Sequence, residues 1–386
     1  MPNHQSPITN HQSPITNHQS PMFFFGIEHE VAFLNHEGKF ADFSCTKFAD
    51  FQQIVDKLPL YPHDYPQLRV GDAGIKKKRW YIEGFERFAD SEAVIDCVAK
   101  GIEIRTTINS TIQGAIDELT ASFSLLRETA ASFGFSPVLI SFNPYTCVFE
   151  PQPPLNDFEL RQLQAYPDEQ TAHIYMVSYG PDLNISIADL PIENVIDIGK
   201  KLTYYSPFIV PFSYSSPFYN GSLWEGLSVR TFIRTGKRSA TLVFVENQEH
   251  LIKSVPSLTK IARIPAEVGR IEFKACDSCD NFSIYAGLLA LLKGLALDKT
   301  LEGRAIVPDT TLHQISAKAG FDHDDIFLNA TKVLHAAENA LENDPDIKFL
   351  APLKDILANR KTKSHQLIEM FENLGSIEET IKRTYV

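Results

Sequence analysis

The chain has 386 residues, 44% of them hydrophobic, enough to bury a large core as one big domain or two moderate ones. Its net charge of −12, with no long basic tract, argues against nucleic acid or an anionic membrane as the main partner. No apolar run approaches the ~20 residues that span a bilayer, no signal-peptide pattern opens the chain, and five scattered cysteines (Cys45, Cys97, Cys147, Cys276 and Cys279) fit a reducing cytoplasm.

Residues 2–21 repeat Asn-His-Gln-Ser-Pro-Ile-Thr. A seven-base DNA unit read through three frames encodes this heptad, so a translated repeat with a functional start at Met22 is expected. The segment is polar and proline-bearing and is expected to be disordered. Beyond it, residues 23–280 alternate short β-like runs with helices. Strands are predicted over Phe23–Phe33, Lys100–Thr107, Pro137–Phe142, Ala172–Ser178, Ser228–Ile233, Thr241–Val245 and Gly269–Cys276. Helices are predicted over Phe48–Leu58 and Ser110–Phe133, and the chain from Ile284 onward reads helical: Ile284–Asp298, Asp325–Asn343, Leu350–Ala358 and Lys363–Leu374. This order predicts an α+β class with a helical C-terminal portion.

Three of the strands carry carboxylates in alternation. In Gly26-Ile27-Glu28-His29-Glu30, the two glutamates share one strand face and Ile27, His29 and Val31 the other. Adjacent carboxylates repel unless a cation lies between them, and an oxygen-rich cluster suits magnesium. Glu103 and Arg105 share a face in Gly101–Thr106, as do Arg270, Glu272 and Lys274 in the last strand. An antiparallel sheet with its polar side in water would show the same alternation.

In order along the chain, these segments resemble the glutamate–cysteine ligase-like carboxylate–amine ligases. Gly26–Glu30 resembles the family's Gly-x-Glu-x-Glu opening, and Gly101–Thr106 its second glutamate strand. Ser206-Pro207-Phe208, Asn220-Gly221 and Ser228-Val229-Arg230 are similar to its Ser-Pro and Ser-x-Arg segment. Arg270–Lys274 with Asp277 resembles the strand preceding its C-terminal helices. The resemblance implies a glutamine-synthetase-like catalytic domain over 22–300, with a curved, mainly antiparallel sheet and helices on its convex face. A helical portion over 301–386 would pack on it. It also implies ATP and Mg2+ as cofactors and an acyl-phosphate route to an amide, with glutamate and cysteine as default small-molecule substrates. Carried over residue by residue, it assigns metal binding to Glu28, Glu30, Glu103 and Glu272, and catalysis to Arg230 and Glu103. ATP or substrate contacts fall to Arg105, His173, Asn184 and Lys274. His173 reads equally as a core histidine, and Arg230 as one end of an ion pair on a strand. Lys274 stands where the family commonly has arginine, which keeps charge and loses bidentate geometry.

Other features carry less. The basic run Lys76–Arg79 reads as a solvated loop or a phosphate contact, and Gly71–Gly74 as a turn. Arg234, Lys237 and Arg238 flank a Thr-Gly turn that could aim one of them at phosphate. Cys276-x-x-Cys279 lacks a second pair at zinc spacing and a thioredoxin-like context. No nucleophile elbow or His-Glu-x-x-His motif is present. Beside the ligase reading stand a relative acting on another amine or acid and a catalytically silent nucleotide-binding relative.

Overall fold

The computed structural model describes residues 21–64, 66–67, 79–165 and 169–386. The repeat up to residue 20, the Gly71–Gly74 turn and the lysines of the basic run lie outside the described residues. The strands are β1 (Phe23–Leu34), β2 (Phe40–Ala41), β3 (Trp80–Phe88), β4 (Val94–Arg105), β5 (Ser136–Val138), β6 (Pro181–Ile187), β7 (Phe218–Tyr219), β8 (Ser222–Leu223), β9 (Thr241–Val245), β10 (Thr259–Ile261) and β11 (Ile271–Phe273). The helices are α1 (Phe48–Lys57), α2 (Ile112–Ala131), α3 (Asp157–Ala165), α4 (Ala172–Val177), α5 (Ile192–Ile209), α6 (Val229–Arg234), α7 (Phe282–Leu297), α8 (Thr310–Ala319), α9 (Asp324–Ala340), α10 (Ala351–Asn359), α11 (Lys363–Leu374) and α12 (Ile377–Tyr385).

A curled, open sheet in the order β10-β9-β11-β6-β1-β4-β3 organises the molecule, with β2 and β5 added along the far half of β1. Every pairing is antiparallel except β9 with β10. The class is α+β, as the sequence predicts. β1 shows why the sheet has two unlike faces. Phe23, Phe25, Ile27, His29 and Val31 are buried, while Phe24, Gly26, Glu28 and Glu30 between them are half-exposed. The period of two sends the apolar set into the helices and leaves a polar face open.

The helices follow from spacing and caps. In α2, Ile112, Ala115, Leu119, Phe123, Leu126 and Ala130 recur at three- and four-residue intervals and are buried. Thr111 caps it by accepting from the Gly114 amide at 3.0 Å. Helix α7 is buried almost all round, with Asn281 as its cap. It packs against α2, α9 and β6, as an apolar helix must. One apolar cluster runs from Phe23 in β1 to Tyr385 in α12.

Two predicted strands are helices. Ala172–Val177 forms α4, and Ser228 caps α6 instead of entering a strand, its hydroxyl accepting from the Thr231 amide at 3.0 Å. Short apolar runs do not distinguish strand from buried helix by period, and a serine three residues before an amide offers the backbone a cap. The strands predicted at 137–142 and 269–276 are shorter, Ser136–Val138 and Ile271–Phe273.

Candidate active site

Strand register assembles a carboxylate-rich floor on the open face. Glu28 of β1 lies opposite Arg105 of β4 on one side and Asp182 of β6 on the other. Glu30 lies opposite Glu103, Glu103 opposite Tyr81, and Glu272 of β11 opposite Asn184. Directly opposed and diagonal side chains on one face are within reach of each other. Two triads result, Glu28–Asp182–Glu272 and Glu30–Glu83–Glu103, each with ligand oxygens within 4.8 Å of one another. Glu28 and Glu30 are two residues apart on β1, about 7 Å along the strand, so the triads are neighbours.

Four cations tie the floor together. Arg105 Nε reaches Glu28 at 3.2 Å and Glu103 at 3.1 Å, and Arg270 reaches Glu28 at 2.7 Å and Glu272 at 3.1 Å. Lys274 bonds both Asp182 and Glu272. Lys100, fully buried, donates to Glu30 at 2.8 Å and to the carbonyls of Tyr175 (2.7 Å) and Ser178 (2.9 Å). Its placement comes from a bulge. Glu83 pairs with Gly101 and Gly84 with Ala99, so Lys100 is the extra residue on β4, and a bulge re-aims the side chain it carries.

The carboxylates titrate in opposite directions. Burial alone would raise Glu28, but Arg105, Arg270 and Lys274 outweigh it and hold Glu28 well below the usual carboxylate range. Burial pushes Glu103 well up, and Glu83, Glu28 and Glu30 add to it against Arg105. Glu83 and Glu272 are raised as well, by burial first and then by their carboxylate neighbours. A half-buried floor on which Glu83, Glu103 and Glu272 resist ionisation is short of positive charge. Its donors are all oxygens, the set that suits a hard divalent cation. The residues therefore fit magnesium, and a bound ion would meet Glu28, Asp182 and Glu272 in one triad and Glu30, Glu83 and Glu103 in the other.

Beyond Glu28 the face opens into a cavity lined by Phe24, Gly26, Arg105, Thr106, Asn184 and Arg270 among others. Asn184 Oδ1 and Arg270 Nε are buried there without a hydrogen-bond partner, one an acceptor and one a donor left for a ligand. Asn184, expected to contact ATP or substrate, thus shares a cavity with Arg105 and borders the first triad.

Arg230 sits elsewhere than a strand. On α6 and 2% exposed, its guanidinium donates to the carbonyls of Lys274 (3.1 Å), Ala275 (3.1 Å) and Cys276 (2.7 Å). Ser215, Ser216 and Ser228 all donate to the Asp277 carboxylate. The Ser-x-Arg and Lys-x-x-Asp segments, far apart in sequence, meet here and hold the end of β11 that carries Lys274. His173 is exposed on α4, not a core histidine, and burial with the nearby Lys237 and Arg238 lowers its pKa. Cys276 and Cys279 are buried free thiols, and burial pushes Cys276 up to about 12, which keeps it a thiol.

Sequence reasoning did not single out Glu83, Asp182 or Lys100. The alternations Tyr81-Ile82-Glu83 and Asp182-Leu183-Asn184 carried the signal for the first two. Lys100 carried none, because an unbulged strand puts it on the other face.

In sequence, and in its curled sheet backed by helices, the chain is similar to glutamate–cysteine ligase-like carboxylate–amine ligases. No family model matches the chain. Among curated proteins it is 26% identical over 219 residues to "Putative glutamate–cysteine ligase 2" of Gloeobacter violaceus, covering 52% of this chain and 56% of that relative. The match thus spans about half of either protein. Among solved structures, glutamate–cysteine ligase from Francisella tularensis in complex with AMP superposes with a TM-score of 0.56 at 11% identity, covering 95% of this chain and 88% of that one. A bifunctional glutathione synthetase from Pasteurella multocida gives 0.55 at 11%, covering 94% and 51%. At that identity the structures speak for the fold alone.

Proposed function

We propose that this chain is an ATP- and Mg2+-dependent carboxylate–amine ligase, with L-glutamate and L-cysteine as default substrates. The observation that carries the reading is the pair of carboxylate triads on neighbouring rows of the open face. The curated relative supports it by name and the Francisella enzyme by its bound AMP, which points to nucleotide use.

Phosphoryl transfer asks the protein for position and charge more than for covalent help. The substrate carboxylate attacks the γ-phosphate of ATP, ADP leaves, and the acyl phosphate then loses phosphate to an attacking amine. Magnesium, when bound, supplies Lewis acidity and a template for the phosphate oxygens. Glu28, Asp182 and Glu272 would hold it on one row, and Glu30, Glu83 and Glu103 on the next. Burial and the neighbouring carboxylates make Glu103 reluctant to ionise, which a bound cation would offset. Arg105 and Lys274 keep the carboxylates in place before loading and face the phosphates after it. Asn184 and Arg270 offer the cavity beyond Glu28 an acceptor and a donor for the nucleoside. Arg230 acts through the carbonyls it holds, as a positioning residue for Lys274.

The test is phosphate release from MgATP with glutamate and a panel of amines, cysteine first, with products identified by mass. Cysteine-dependent release with a γ-glutamylcysteine mass is the expected result. Release with another amine keeps the chemistry and changes the substrate. Nucleotide binding with no amine-dependent release from any pair overturns the ligase reading in favour of a silent relative.

A further inference from the structure

Three arginines on the β3–β4 side of the sheet hold a carboxylate, and one of them holds it differently. Arg79 takes Asp64 through Nε at 2.6 Å and Nη2 at 3.1 Å, and Arg87 takes Glu159 through Nε at 2.7 Å and Nη2 at 3.0 Å. Two parallel N–H bonds are the grip that a planar guanidinium and a carboxylate favour. Arg105 also donates to Glu103 through Nε, at 3.1 Å, but its Nη2 goes to the Tyr81 hydroxyl at 2.5 Å. Glu28 lies 3.2 Å from the same Nε, which carries a single hydrogen. The carboxylates on either side therefore hold Arg105 at one nitrogen and do not fix the direction of its fork.

Tyr81 fixes it. In register Tyr81 lies opposite Glu103, and Arg105, two residues further along β4, is its diagonal neighbour on the same face. The Arg105 Cζ stands 4.2 Å from the centre of the Tyr81 ring, within cation–π range, so ring and hydroxyl both bear on the guanidinium. The tyrosine is itself held. It is buried, and its strand neighbours Trp80 and Ile82 are buried on the opposite face, with Trp80 Nε1 donating to the Ser122 carbonyl of α2 at 3.1 Å. The Arg105 amide donates to the Arg79 carbonyl at 2.7 Å and keeps the two chain segments in step.

With Nε and Nη2 engaged, Arg105 Nη1 makes no hydrogen bond among the described residues. Arg105 also lines the cavity beyond Glu28. Without the hydroxyl, Nη2 is free to close the two-nitrogen grip on a glutamate, as Arg79 and Arg87 do on theirs. That closure would turn the fork onto the carboxylate floor and away from a ligand.

We propose that Tyr81 is a positioning residue whose hydroxyl keeps Arg105 from closing on Glu103 or Glu28 and leaves Nη1 for an anionic oxygen of the nucleotide. Placing the nucleotide in that cavity rests on the ligase reading. The tyrosine acts through Arg105 and touches no substrate.

Calorimetry on the full chain with Mg2+ and a non-hydrolysable ATP analogue tests this. Tyr81→Phe keeps the ring and deletes the hydroxyl. It should weaken the analogue about 10-fold, the scale of one charge-assisted contact, with an unchanged circular dichroism spectrum. Arg105→Met should weaken the analogue by itself, and Tyr81→Phe added to it should weaken it no further. Should Arg105→Met not fold, Arg105→Lys takes its place in the cycle, because a lysine has no second nitrogen for the hydroxyl to hold. Unchanged analogue affinity in Tyr81→Phe overturns the proposal. So does a loss that persists in full beside the Arg105 substitution, which would mark a packing effect or a direct contact of the tyrosine. A wild type that binds no nucleotide overturns the ligase reading and the role of Tyr81 together. A chain that passes the cycle but shows no amine-dependent phosphate release loses the ligase reading alone.

Discussion

Gly180→Ala probes the joint between α6 and the carboxylate floor. Gly180 lies between Tyr179 and the first residue of β6, and its amide donates to Glu30. A Cβ at this position would lie 2.3 Å from Arg230 Nη2, 2.5 Å from Cζ and 2.8 Å from Nε. Those distances are shorter than any tolerated contact. The far end of an arginine normally swings aside at little cost, but this guanidinium is held by three carbonyls. Releasing one charge-assisted hydrogen bond costs about 1.5–3 kcal/mol, and overpacking adds roughly 1–3 kcal/mol. Partial relaxation leaves an expected loss of about 3 kcal/mol in stability.

Urea denaturation followed by far-ultraviolet circular dichroism reads this as a lower midpoint at unchanged slope. A double-mutant cycle isolates the cause. With Arg230→Ala in the background the new methyl group meets space, so Gly180→Ala should then cost less than about 0.5 kcal/mol. Turnover should fall more than stability explains, because the displaced guanidinium frees the carbonyls at the end of β11 and with them Lys274. A Gly180→Ala protein within about 0.5 kcal/mol of wild type, or one equally destabilised in both backgrounds, would refute the reasoning.

Glu28→Gln and Glu272→Gln should each lower turnover by two to three orders of magnitude, the scale of a lost electrostatic contact to developing charge, with circular dichroism spectra unchanged. Near-normal rates in both would remove them from the metal site. The raised pKa values of Glu83, Glu103 and Glu272 set a pH dependence. An acid whose folded pKa lies above its unfolded value contributes stability at low pH and loses it as pH rises through the folded value. Metal-free protein should therefore lose stability on that rise, and the Tm gain from Mg2+ should grow with pH; an Mg2+ shift independent of pH contradicts the site. In the native protein a thiol reagent should modify exposed Cys45 and leave Cys276 and Cys279 unreacted until unfolding. Prompt labelling of either buried thiol would show a packing looser than the structure.

What the sequence revealed and what it concealed divide along one physical line. Residues whose role depends on local alternation were legible. Glu28, Glu30, Glu103 and Glu272 lie on the open face because a strand puts every second side chain there, and the pairing of β1 with β4 and β6 does the rest. Residues whose role depends on a departure from regular geometry were not. Lys100 reaches Glu30 only because a bulge turns it, and Arg230 reaches three carbonyls only because Ser228 caps a helix where the composition reads as strand. His173 shared that error, since a strand at 172–178 would have carried it toward the sheet and α4 carries it to the surface. Asp182 and Glu83 fall between. Their alternation was visible, but a single half-exposed carboxylate is common, and only the register places each in a triad.

The charge on the open face argues for the order in which ligands arrive. Six carboxylates (Glu28, Glu30, Glu83, Glu103, Asp182 and Glu272) face four cations (Lys100, Arg105, Arg270 and Lys274). Fully ionised, the face carries an excess of negative charge, and the raised pKa values of Glu103 and Glu272 oppose that ionisation. A polyphosphate approaching this surface alone meets repulsion. A divalent cation does not, and each ion that displaces a proton turns an acid floor into one that attracts phosphate. The four cations prevent the opposite failure. Without Arg105 between Glu28 and Glu103, or Lys100 under Glu30, the unloaded sheet would have to hold bare carboxylates a few ångströms apart. Metal before or with nucleotide is thus the order this surface favours. Nucleotide-analogue affinity should fall steeply when Mg2+ is chelated, and equal affinity with and without the ion would show that the arginines and lysines alone carry the phosphates.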